Sequence, residues 1–75
     1  LAGTELALQH EVDHLARHYE ERMEEAGFFF PAHKAESMKV NLRNMWSRLP
    51  LTRAEVQMLH GMMRQVVRWR DKKTD

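Results

Sequence analysis

Three residues that break regular backbone divide this chain, and each piece between the breaks carries one apolar stripe. Gly27 and Pro31 bracket the first break and Pro50 makes the second. A glycine after a last helical turn takes the left-handed conformation without a Cβ clash, and a proline lacks the amide that would continue a helix. In the first piece Leu8, Val12, Leu15, Tyr19, Met23 and Ala26 recur every three or four residues, with Glu11, Asp13, Glu20, Glu21 and Glu24 off that line. This period is helical. It predicts a helix over about residues 5–26, capped by Thr4, with residues 1–3 a frayed end.

In the second piece Met38, Leu42, Met45, Trp46 and Leu49 fall within one third of a helix circumference, which predicts a helix over about 35–49. Lys39 and Arg43 flank that stripe on one side, Asn41 and Arg48 on the other. The third piece opens on the strongest local signal in the chain. Thr52 and Glu55 have the spacing of a reciprocal capping box, and Leu51 and Val56 that of a hydrophobic staple. The helix that follows spans about 53–70, with Val56, Leu59, Met62, Met63, Val66 and Val67 inward and Arg53, Gln57, Arg64 and Arg68 outward. Gly61 falls on the outer side, where it costs about 1 kcal/mol relative to alanine unless another backbone comes close. The fold class is therefore all-α, a small three-helix domain with short loops.

At 75 residues the chain makes one small domain, which buries about 60% of the surface its unfolded form exposes. It contains no cysteine, so it has neither a disulfide framework nor a thiolate metal site. Apolar runs fall short of the ~20 residues of a membrane span, and no basic-then-apolar leader opens the sequence. The expected location is cytoplasmic. Because the chain begins at Leu1 rather than Met, a catalytic domain is expected upstream.

The formal charge of +1 conceals an asymmetry. Residues 1–30 carry two basic side chains against seven acidic ones, giving −5; residues 31–75 carry ten against four, giving +6. Such a split suits either a polyanion on the second half or simple packing of an acidic helix beside basic ones. Phe28, Phe29 and Phe30 before Pro31 read as a plug for the end of the bundle, with base stacking as the sharper alternative. Six methionines, five of them in the last two helices, make a soft core or an adaptable interface.

His10-Glu11-Val12-Asp13-His14 matches the H-E-x-x-H spelling of zinc proteases, with His18 one turn on. That chemistry needs a cleft and a third ligand from elsewhere. Since Val12 belongs to the apolar stripe, the three imidazoles fall on a flank facing water, and no metal site is assigned. Ser37 and Ser47 have no patterned His–carboxylate partner, so no catalytic residue is assigned either.

Joint spacing identifies more than the single residues do. Gly27-Phe28-Phe29 and Pro31, then Met38, Asn41-Leu42-Arg43 and Arg48, then Leu51-Thr52, Glu55-Val56, Leu59 and Gly61 together resemble the C-terminal helical domain of TrmJ-like RNA methyltransferases of the SPOUT class (the TrmH superfamily). The resemblance runs from about Val12 to Val67. It implies a parent enzyme whose knotted α/β domain binds S-adenosylmethionine, dimerises and methylates a tRNA ribose 2′-hydroxyl, with the helical domain helping to hold the tRNA. No cofactor is expected in this segment. The basic set that would follow a phosphate backbone is Lys34, Lys39, Arg43, Arg48, Arg64 and Arg68. Two other classes compete. A dimerisation or docking module, a homodimer or a seat for its own catalytic domain, would use Met38, Met45, Trp46 and Met62. A helix-turn-helix DNA binder would read bases through Arg53 and Gln57 after the Leu49–Thr52 turn.

Overall fold

A computed structural model describes residues 5–73, and these form three helices: α1 (Gln9–Glu25), α2 (Ala32–Arg48) and α3 (Arg53–Lys73). Among the described residues there is no strand beyond a single antiparallel bridge between Leu6 and Thr52. The expected helix start at residue 5 is four residues early; Thr4 itself lies outside the described residues. Residues 5–8 are extended because they have a partner. The Ala7 amide donates to the Leu51 carbonyl at 2.9 Å and the Arg53 amide to the Glu5 carbonyl at 2.8 Å, so the entry strand ties down the link between α2 and α3. α1 then starts at Leu8, whose amide donates to the Glu11 carboxylate at 2.7 Å. α2 begins three residues earlier than its stripe suggested, directly after Pro31. Proline is well suited to a helix entrance because its missing amide would have no partner there.

α3 starts as its sequence dictates. The Glu55 amide donates to Thr52 Oγ1 at 3.1 Å and the Thr52 amide to Glu55 Oε1 at 2.8 Å, both halves of the capping box. At the other break Gly27 takes φ = 78°, the left-handed residue that lets the chain leave α1.

The helices do not close into a bundle. α1 packs on α2 and on α3, but α2 and α3 do not pack on each other along their lengths. The Cα envelope is 41 × 33 × 13 Å, one helix layer thick, with α1 in the middle. Contacts of Glu24 with Lys39 and of Glu20 with Arg43 set α2 antiparallel to α1. Contacts of Glu11 with Arg53 and of Tyr19 with Leu59 start α3 beside the beginning of α1 and run it in the same direction.

This flatness limits the central cluster to Val12, Leu15, Trp46 and Val56, with Tyr19, Leu42, Leu51 and Leu59 partly buried around them and Phe29 and Met63 buried apart from it. Leu15 alone is fully buried among the described residues. Phe29 is buried at the α1–α2 turn while Phe28 and Phe30 stay exposed, so one ring of three is the plug. Met62 and Val66, expected inward, are more than half exposed. The reason is the missing α2–α3 contact: α3 has only α1 to lean on, and its inward direction rotates toward His60, which is buried.

Candidate nucleic-acid interface

The helix layer distributes the six basic residues over separate surroundings. Lys39 and Arg43 point back at α1. Lys39 Nζ lies 3.1 Å from Glu24, and the Arg43 guanidinium grips Glu20 with two hydrogen bonds of 2.9 and 3.0 Å. The acidic first helix is thus partly neutralised inside the domain. That pairing, led by the hydrogen bond and reinforced by the nearby positive charge, holds the Glu20 carboxyl below its ordinary range. Lys34 and Arg48 are exposed on α2, and Arg64 and Arg68 are exposed on α3, Arg64 beside the α1–α3 seam with His10, His14 and His60. None of these four forms an ion pair among the described residues. The six therefore do not form one patch: two are engaged with carboxylates, two are exposed on α2 and two on α3, and α2 and α3 do not pack on each other.

On α3 the basic edge is longer than those two. Arg64, Arg68 and Lys72 follow one another at i, i+4 and i+8, all exposed. Beside them Trp69 stands more than half exposed with Lys73 Nζ 4.9 Å above its ring. Lys72 and Trp69 are visible in the sequence only as a basic helix end, which reads equally well as a complement to the helix dipole.

The residues of the competing readings are placed as follows. Trp46 is buried in the domain's own core, edge-on to Tyr19 at 5.4 Å between ring centres. Met38 is half-buried; Met45 and Met62 are exposed. Arg53 is held by Glu11 through contacts of 3.0 to 3.1 Å and by Glu5 at 3.5 Å, and it has no packed α2–α3 pair to present it as a recognition helix would.

The histidine row faces water only in part: His10 and His14 are exposed as the spacing suggested, while His18 is half-buried against His60. His18 Nδ1 lies 2.7 Å from His60 Nδ1, with the rings stacked at 4.9 Å, and His14 stands 5.0 Å from His60. The row lines the α1–α3 seam. His60 went unremarked in the sequence, although it sits four residues after Val56 and three before Met63, squarely within the apolar stripe. Burial above all pushes both His18 and His60 below the ordinary imidazole value; Arg22, Arg64 and His14 add to this at His18, where Glu21 opposes it, and His18, His14 and Arg64 add to it at His60. Two guanidinium groups facing the pair also make it a poor seat for a cation. No cluster of three or more His, Cys, Asp or Glu among the described residues is arranged to hold a metal ion.

The concavities are open and shallow. One beside His10, Gln57, His60 and Arg64 spans about 260 Å³, and one on α3 formed by Gln65, Arg68, Trp69, Asp71 and Lys72 about 410 Å³. Nothing here encloses a nucleotide.

Residues 10–75 match the family described as the C-terminal domain of the tRNA methyltransferase TrmJ. The chain belongs to that family. No curated protein and no solved structure matches it. As a TrmJ C-terminal domain it is an accessory domain of a tRNA methyltransferase, and the layer of three helices is the fold it contributes. No helix among the described residues of this TrmJ domain is long and apolar enough to cross a membrane.

Proposed function

We propose that this domain holds tRNA for a methyltransferase that transfers a methyl group from S-adenosylmethionine to a ribose 2′-hydroxyl. The cofactor and the chemistry belong to a catalytic domain of the parent enzyme, expected to be a cytoplasmic SPOUT-class protein. The observation that carries the reading is the line Arg64, Arg68, Lys72 on α3, three exposed cations one helical turn apart and without ion pairs among the described residues. A row of that pitch follows phosphates without reading bases. Lys34 and Arg48 form a second, smaller contact on α2. Lys39 and Arg43 contribute less, because a phosphate must displace Glu24 and Glu20 from them.

Charge reversal tests this helix by helix. In fluorescence anisotropy with bulk tRNA, Arg64→Glu with Arg68→Glu is expected to weaken binding at least about tenfold, and Lys34→Glu with Arg48→Glu less. Undiminished affinity of the first pair removes α3 from the interface.

A second reading, docking or dimerisation, is favoured by the exposed apolar side chains of α2 and α3. The chain presents 5921 Å² of accessible surface, where a compact monomer of this mass presents about 4,900 Å². Met45, Met62 and Val66 supply part of the excess. Association of the free domain over a concentration series by sedimentation equilibrium would support it, and a monomer throughout would leave those methionines without a partner of their own kind.

A further inference from the structure

An open hollow of about 410 Å³ lies outside the six basic residues singled out by spacing, apart from Arg68. It is formed on the outer side of α3 by Gln65, Arg68, Trp69, Asp71 and Lys72. Trp69 is more than half exposed, although its ring is the largest apolar group the chain could have used to enlarge a small core. Its companion Trp46 is buried, so the domain places one indole in the core and leaves the other in solvent. Lys73 covers the Trp69 ring from 4.9 Å, a cation–π contact. Arg68 and Lys72 are exposed and stand one turn apart beside the ring. Asp71, the only carboxylate among the described residues of the hollow, lies 3.2 Å from the Arg70 guanidinium, so its charge is partly offset.

We infer that Trp69 is a stacking platform for one unpaired nucleobase of the RNA, with Arg68 and Lys72 taking the flanking phosphates and the Gln65 amide within the same hollow. This rests on the RNA-holding reading above and adds to it a ligand class, single-stranded rather than duplex nucleic acid. A flat aromatic ring beside cations is the combination that single-strand binders use, because every base offers a π-face while the charges follow the backbone. A paired base keeps its faces inside the duplex stack and cannot use such a ring. Lys73 belongs to the same device. By lying on the indole it covers the ring in the free protein, and it moves to a phosphate when the base arrives.

The placement of the two tryptophans makes the test direct. The full chain is titrated with a fluorescein-labelled single-stranded RNA dodecamer of mixed sequence and with the same strand annealed to its complement. Anisotropy reports total binding, and indole emission, recorded with unlabelled RNA, reports stacking. Binding of the single strand is expected to quench the exposed indole, and Trp69→Leu is expected to abolish the quenching while the buried Trp46 signal stays. The same variant should weaken single-strand binding by about 5- to 150-fold, the loss of one stacked base, and Trp69→Phe should recover part of it. Duplex affinity should change little in either variant. Undiminished single-strand affinity in Trp69→Leu, with no quenching in the parent chain, overturns the platform and leaves the electrostatic reading standing. Absence of any RNA binding by the parent chain overturns both.

Discussion

Acidification is expected to open the seam between α1 and α3 at a pH where few protein interiors respond. His18 and His60 share one short Nδ1–Nδ1 contact of 2.7 Å. With both rings neutral, one nitrogen donates and the other accepts. A single added proton leaves that arrangement intact, since a doubly protonated ring still donates to its neighbour's lone pair. A second proton turns both nitrogens into donors and breaks it. The folded pair therefore holds at most one proton comfortably, whereas the unfolded chain takes two. Burial and the facing Arg22, Arg64 and His14 work in the same direction, with Glu21 opposing at His18. Both folded values lie below the ordinary 6.5, so the unfolded state binds more protons and stability falls as pH drops through 6.5. Above that pH the pair makes no pH-dependent contribution. A proton withheld throughout pH 7.5 to 5.5 costs at most about 1.4 kcal/mol, which in a domain of this size lowers the melting temperature by up to about 10 °C. The carboxylates with lowered values, Glu11 and Glu20, titrate below 4.5 and stay out of this window. Circular-dichroism melts of the parent chain and of His60→Leu over that range make the measurement. The parent should lose stability on acidification and the variant should show a flatter profile. Parallel curves for the two would refute the assignment of the effect to this pair.

Three substitutions test the packing account by thermal or urea unfolding. Leu15→Ala removes the one fully buried side chain among the described residues and should cost about 2–5 kcal/mol, enough to leave so small a core largely unfolded; a loss under about 1 kcal/mol would mean that the seam does not depend on it. Gly27→Ala should destabilise by about 1–2 kcal/mol through its left-handed φ of 78° alone, since no atom lies within 4 Å of the added methyl. Gly61→Ala should do the opposite and stabilise by about 1 kcal/mol, because its added methyl meets only the Arg64 side chain at 3.9 Å and no backbone; destabilisation there would reveal a close approach that the helix layer does not contain.

Local rules made the three helices legible. Gly27 and Pro50 mark two boundaries, and the Thr52–Glu55 box starts α3 where its residues say it should. Residues 5–8 carry an apolar spacing that continues that of α1, while their extended form depends on the Leu51 carbonyl and the Arg53 amide, partners more than forty positions away. Stripe positions alone did not reveal that the layer stays open. Met62 and Val66 have the period of core residues, and only the absence of an α2–α3 contact exposes them. For the same reason a sequence charge count overstated the basic surface. Whether Arg43 is available depends on where Glu20 lies across the helix seam, and the chain's own order does not specify that. Family membership was legible because it rests on joint spacing, which helix packing leaves untouched.

The salt dependence of tRNA binding by the full chain bears most directly on the central claim. With Arg64, Arg68 and Lys72 on phosphates, the logarithm of the association constant should fall against the logarithm of salt concentration with a slope of about −2 to −3. Binding that is absent at low salt, or that is indifferent to salt, would contradict an electrostatic tRNA-holding role for this domain.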